Sequence, residues 1–134
     1  MRAYLYCRIA SPQEEPIFME VQRWQLMHFA KTRDWQIVGQ TLEYAAGANL
    51  TRPGLQEVDN AVRAGQVAVV IVHDLSRISR HMVLIHEYSR FLHQHNVALL
   101  SVSEGIELKP HDDRTPCLAL DKKSECSYRS FQLL

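Results

Sequence analysis

Three short segments place arginine where the chain leaves a regular element: YCRIAS around Arg8, NLTRPGL around Arg52, and HDLSRISR with Arg77 and Arg80. Arginine offers a planar fork of N–H donors that matches pairs of phosphate oxygens. Arg77 and Arg80 are three residues apart, so one helical turn sets both on the same face, where they can grip two oxygens of one phosphate. If Arg8 joins them from a neighbouring strand end and Arg52 reaches over from a loop, four fixed cations converge on one dianionic centre. Such a cluster can stabilise a phosphoryl-transfer transition state where no metal is available. The competing account is four unrelated surface arginines.

The rest of the composition narrows the chemistry. The chain has 134 residues, enough for one domain, and ordinary globular proportions of 46% hydrophobic and 22% charged residues. Fifteen Lys plus Arg balance fifteen Asp plus Glu, so no bulk basicity advertises a nucleic-acid partner. Residues 1–103 sum to plus one and 104–134 to minus one, which predicts weak, salt-sensitive non-specific DNA affinity. Cys7, Cys117 and Cys126 are odd in number and lack paired ligand spacing, so neither a disulfide framework nor a zinc site is indicated. His86 and His93 could share a helix face, but no acidic or Cys partner completes a metal motif. No metal and no cofactor are expected. No apolar run approaches the roughly 20 residues that span a bilayer, and the N-terminus lacks a secretory stretch. The sequence therefore predicts a soluble, cytoplasmic protein with no membrane partner.

The elements that must position the arginines follow from pattern. Arg2–Cys7 is short and aromatic and predicts a strand. Pro16–Thr32 predicts a helix with Ile17, Val21, Trp24, Leu26, Met27 and Phe29 at roughly helical spacing. Trp35–Leu42 predicts a second strand, followed by the turn-rich YAAGANLTRPG. A second helix is expected from a Thr51 N-cap through Pro53, with Leu55, Val58, Ala61 and Val62 on its apolar face, ending at Gly65. The run from Val67 to Val72 is the mark of a strand buried on both faces. Met82–His95, with Met82, Ile85, Tyr88 or Ser89, and Leu92 spaced for burial, predicts a third helix before a strand over Val97–Val102. Trp24, Phe29, Trp35 and Phe91 are expected in the core. This βαβαβαβ order implies an α/β fold, with a central, mostly parallel four- to five-stranded sheet flanked by helices. Such sheets bind ligands beyond the carboxyl ends of their strands, so the residues after the first and third strands are the ones to inspect. From Ser103 onward an irregular tail is expected.

At these same segments the chain resembles the catalytic domain of serine site-specific recombinases, the resolvase/invertase group. The resemblance runs from residue 1 to about Ile106 through YCRIAS, Gln22, RPGLQ, AVVIVHDLSRISR and LLSVSEGI, in order. It implies a resolvase-like catalytic domain over 1–106, a tail over 107–134, and DNA as substrate. It also implies attack of a serine hydroxyl on a phosphodiester, giving a 5′-phosphoserine link and a free 3′ hydroxyl without metal or external energy. Storing the phosphoester in the enzyme link permits later rejoining. Carried over by position, Arg8, Arg52, Arg77 and Arg80 bind the phosphate, and Tyr6, Gln22 and Ser76 support them. A homo-oligomer, or association with a full-length recombinase, is the implied assembly.

The sequence departs from the family in three places. The serine of the Y-x-R-V-S pattern is replaced by Ala10, with Ser11 immediately after it; a one-residue displacement turns a side chain to the other face of an extended segment unless the loop turns it back. An acidic residue often found before the first arginine of the last motif, which would be the candidate proton donor to the leaving oxygen, is Ser76 here, although Asp74 is two residues away. No helix-turn-helix follows, so groove readout of a site is not expected from this chain. DNA cleavage and rejoining with Ser11 as the candidate nucleophile is the leading expectation. The alternatives are a catalytically inactive partner or regulator of a full-length recombinase, and an unrelated α/β phosphate-binding module, against which the lack of a glycine-rich cradle counts.

Overall fold

In the computed structural model, which describes residues 1–10, 16–46 and 49–109, alternating strands and helices build one five-stranded sheet in the order β2-β1-β3-β4-β5. The strands are β1 Arg2–Ile9, β2 Gln36–Tyr44, β3 Val69–Val72, β4 Ala98–Ser101 and β5 Ile106–Leu108; the helices are α1 Pro16–Thr32, α2 Pro53–Arg63 and α3 Met82–Gln94. A 3-10 turn over Leu75–Arg77 follows β3. The first four strands run parallel and β5 pairs antiparallel with β4, so the sheet is mostly parallel and helix-flanked.

Every residue of β1 after Arg2 and every residue of β3 is buried. That two-sided burial is why RAYLYCRI alternates poorly and why the Val/Ile run is continuous. On one face α1 packs Met19, Leu26 and Ala30 over Ala3, Leu5, Cys7, Ile9, Val69 and Ile71. On the other, α2 and α3 pack Leu55, Val58, Val62, Ile85, Tyr88 and Leu92 over Tyr4, Tyr6, Val70, Val72 and Leu99. Burial on the α1 face pushes the Cys7 thiol up to about 12, leaving it a small hydrophobe with little thiolate character. Left-handed backbone closes each helix: Asp34 after α1, Gly65 after α2 and Asn96 after α3 have φ between 59° and 76°.

Several expectations are corrected. The buried stripe of α1 is Met19, Gln22, Leu26 and Ala30, whereas Ile17, Val21 and Trp24 are exposed, Trp24 to 63%. The helix carries apolar residues on more than one side, and only the Met19, Leu26 and Ala30 side packs against the sheet. Trp24 is therefore not core; it stacks on His28 at 5.0 Å. Phe29, Trp35 and Phe91 are partly buried at the edges of the two clusters. Met82 is exposed. Thr51 does not cap α2: it bonds Asn49, and Arg52 occupies the N-cap position without a side-chain cap bond. The expected irregular stretch from Ser103 contains β5, reached through Gly105 at φ 66°. Three residues are too few for periodicity to reveal such a strand. The chain from Pro110 onward lies outside the described residues. Among the described residues no helix is long and apolar enough to cross a membrane, and no group of three or more His, Cys, Asp or Glu could hold a metal ion.

Candidate active site at the ends of the first and third strands

The strand order 2-1-3-4-5 reverses direction at β1, so a crevice opens where the carboxyl ends of β1 and β3 diverge. Ile9, Gln22, His73 and Arg77 are among the residues that line it. β1 pairs with β3 only as far as Leu5 opposite Ile71, so beyond that point β1 lacks a strand partner on this side. The Gln22 amide of α1 takes over: its oxygen accepts from Arg8 N at 3.3 Å and its nitrogen donates to Arg8 O at 3.1 Å. Arg77 Nη1 donates to the same carbonyl at 3.0 Å.

Arg8 is 3% exposed, and among the described residues no carboxylate pairs with it. Its guanidinium donates to three backbone carbonyls: Nε to Arg77 O at 2.8 Å, Nη1 to Ala45 O at 2.6 Å and Nη2 to Ser76 O at 2.6 Å. One side chain thus ties the loop after β2 and the turn after β3 to the end of β1. Burial, then the neighbouring Arg52, Arg77 and Arg80 cations, lower its pKa. That effect places all four arginines in one electrostatic cluster. Arg52, equally buried, donates to Ile78 O at 2.6 Å and Arg77 O at 3.3 Å through Nη2. The two buried arginines therefore spend many of their donors on the backbone of 76–78. Arg77 is half-buried, its guanidinium bonded to the Arg8 carbonyl and paired with Asp74, and Arg80 is exposed.

A second group supports Arg52. Glu43, at the end of β2, is buried; its Oε1 accepts from Tyr6 Oη at 2.6 Å and its Oε2 from Gly54 N at 2.6 Å. Arg52 Nε lies 3.8 Å from Oε1, an ion-pair distance, and its guanidinium stands 5.8 Å from the Tyr6 ring. Burial and the bond to Glu43 push the Tyr6 hydroxyl well above the usual phenol range. The Glu43 carboxylate also meets the amino end of α2, where the helix dipole favours negative charge. A Cβ on Gly54 would stand 2.5 Å from the carboxyl carbon of Glu43. The RPG segment thus has a local reason: arginine for the turn carbonyls, proline at a first helical turn, and glycine because the carboxylate leaves no room. Gly54→Ala is expected to cost about 2 kcal/mol, from overpacking a side chain held by Tyr6 and Arg52; urea unfolding measures it.

Sequence reasoning missed Glu43, which stands in a β-rich run with no motif around it. Only the distance partner across the loop, Gly54, could have pointed to it. Asp74 is the other organiser. Its Oδ1 accepts from Ser76 N at 3.1 Å and from Ser76 Oγ, and its Oδ2 lies 2.8 Å from His73 Nδ1 and 3.3 Å from Arg77 Nε. Burial opposes its charge, but the Ser76 and His73 hydrogen bonds and the Arg77 cation outweigh it and hold the carboxyl below its usual range. A carboxylate held ionised is a poor proton donor near neutral pH, which argues against Asp74 as the acid toward a leaving oxygen. Because the folded value lies below the unfolded value of about 3.9, its stabilising contribution is complete above that pH and is lost as pH falls through the folded value. Asp74→Asn is expected to flatten that acid limb in a pH series of unfolding curves.

The cluster thus contains Tyr6, Arg8, Gln22, Arg52, Ser76, Arg77 and, by its charge effect on Arg8, Arg80. Ser11 lies outside the described residues. Ala10, which carries no hydroxyl, is exposed at the end of β1.

The family model described as "Resolvase, N terminal domain" matches residues 3–119. No curated protein matches the sequence. Among solved structures, the chain is similar to the N-terminal catalytic domain of TP901-1 integrase, with a TM-score of 0.73 and 21% identity over 80% of this chain and 81% of that one. It is also similar to a resolvase family site-specific recombinase from Streptococcus pneumoniae, with a TM-score of 0.72 and 26% identity over 80% and 75% of the two chains. The C-terminal catalytic domain of ISC1926 TnpA, an IS607-like serine recombinase, gives a TM-score of 0.71 and 24% identity over 76% and 70%.

Proposed function

The chain belongs to the resolvase N-terminal-domain family, and from that premise we propose that it cleaves and rejoins DNA strands through a phosphoserine link formed at the arginine cluster beside β1 and β3. The observation that carries this proposal is the convergence of Arg8 and Arg52 on the backbone carbonyls of 76–78, with Arg77 Nη1 donating in return to the Arg8 carbonyl and Arg80 three residues further along the same segment.

The buried pair, Arg8 and Arg52, fixes the turn. The turn in turn aims Arg77 and Arg80 at the crevice, where a scissile phosphate sits and its developing charge is met by preorganised donors. Tyr6 and Gln22 act one step back, through Glu43 and through the backbone of Arg8. A serine hydroxyl attacks phosphorus, the bond to the 3′ oxygen breaks, and the reverse reaction rejoins the strand. Ser11 is one candidate for that hydroxyl. Incubation with supercoiled DNA in the presence of a chelator is expected to give a covalent adduct on 5′ ends. Arg80→Ala is expected to lower its yield on the order of 100-fold.

The absence of a hydroxyl at Ala10 favours a second reading, a regulator that joins a full-length recombinase in mixed oligomers. No adduct with DNA, together with a stable mixed complex, selects that reading.

A further inference from the structure

Ala10 leaves the end of β1 without a hydroxyl, which raises the question of which side chain near the arginines could attack a phosphodiester. Among the described serines, Ser79, Ser89 and Ser101 are buried, Ser101 Oγ donates to Glu104 at 2.6 Å, and Ser103 is exposed in the turn after β4. Ser76 combines exposure with a carboxylate partner. It is exposed, it lies in the turn after β3, and its Oγ donates to a carboxylate, Asp74 Oδ1. Its own carbonyl accepts from Arg8 Nη2 at 2.6 Å, so its backbone is fixed to the buried arginine. The next residue is Arg77, whose Nε is 3.3 Å from the other oxygen of Asp74.

We infer that Ser76 is the nucleophile of this chain, with Asp74 receiving its proton, so that the attacking hydroxyl comes from the turn after β3 and not from the end of β1. The inference rests on the strand-cleavage reading above and deepens it.

The chemistry balances without a further reactant. Ser76 Oγ forms a bond to phosphorus as its proton passes to Asp74 Oδ1. The bond from phosphorus to the 3′ oxygen breaks, the departing oxygen takes a proton from water, and Asp74 returns its own to solvent. Rejoining is the reverse, with the 3′ hydroxyl attacking the phosphoserine. A carboxylate within hydrogen-bond reach of the hydroxyl meets the first geometric demand on a general base. Hydroxyl, base and the half-buried Arg77 lie within four consecutive residues, 74–77, and Arg8 bonds the carbonyls of 76 and 77. His73 and Arg77 both engage Asp74 Oδ2, leaving Oδ1 to Ser76.

The test is to incubate the chain with supercoiled plasmid DNA, digest the adduct with nuclease, and locate the remaining nucleotide by peptide mass spectrometry. The expected result is a nucleotidyl group on Ser76. Ser76→Ala should then lower adduct yield on the order of 1,000-fold or more, as loss of a nucleophile does. Asp74→Asn, which keeps an acceptor for Ser76 N, should lower it about 10- to 100-fold. Thermal unfolding of both variants verifies that they remain folded. A nucleotidyl group on Ser11 or any other residue, or undiminished adduct in folded Ser76→Ala, overturns the assignment and leaves strand cleavage standing. No adduct with the unaltered chain overturns both.

Discussion

Replacing Arg8 with alanine is expected to destabilise the fold by about 3 kcal/mol and to reduce strand cleavage by on the order of 1,000-fold. The stability loss comes from three carbonyls, Ala45 O, Ser76 O and Arg77 O, that lose a charged donor at once. A hydrogen bond to a charged group contributes roughly 1.5–3 kcal/mol, but the three share one side chain and do not add. Removing Arg8 also relieves a cation that is buried and repelled by Arg52, Arg77 and Arg80, which offsets part of the loss. Against a total stability of roughly 5–15 kcal/mol, the net remains large. Arg8→Lys is expected to recover only part of it, because a single ammonium cannot fork to two loops. Urea unfolding measures the first effect and adduct yield the second. A stability change under about 1 kcal/mol would mean that the turn after β3 holds its shape without Arg8.

Glu43→Ala is expected to cost about 3–5 kcal/mol, the range for removing one partner of a buried ion pair. Three groups lose their acceptor or counter-charge: the Tyr6 hydroxyl, the Gly54 amide and the Arg52 guanidinium. Glu43→Gln keeps an acceptor oxygen and should cost roughly half as much, the remainder reflecting lost charge beside Arg52. The two positions are coupled. Gly54→Ala strains the fold because the new Cβ meets the Glu43 carboxyl group, so in a Glu43→Ala background its cost should fall close to zero. A double-mutant cycle reads that coupling directly.

The parallel sheet was legible because its central strands write themselves plainly: Val69–Val72 is apolar without interruption, and each helix that follows a strand has an N-terminal proline or a terminal left-handed residue. The face of α1 was not legible. Ile17, Val21 and Trp24 compete with Met19, Leu26 and Ala30 for the sheet at similar helical spacing, and only the tertiary packing separates the two sets. The site was legible as arginines at strand ends but not as a division of labour. Spacing suggested four equivalent grips on a phosphate. In the fold, Arg8 and Arg52 are buried posts that hold the 76–78 backbone, while Arg77 is half-buried against the Arg8 carbonyl and Asp74 and Arg80 is exposed. Glu43 and the Asp74–Ser76 pairing depend on contacts across the loop and within the turn, which no one-dimensional pattern encodes.

The most direct test of the central claim is a crystal structure of the chain with a DNA duplex, read for one distance: from the guanidinium groups of Arg77 and Arg80 to the nearest backbone phosphate. The account predicts a phosphate in the crevice between the ends of β1 and β3, within about 3 Å of donors on both arginines. Arg8 and Arg52 should still hold the carbonyls of 76–78. DNA bound on another face, with that crevice empty of phosphate, would contradict it.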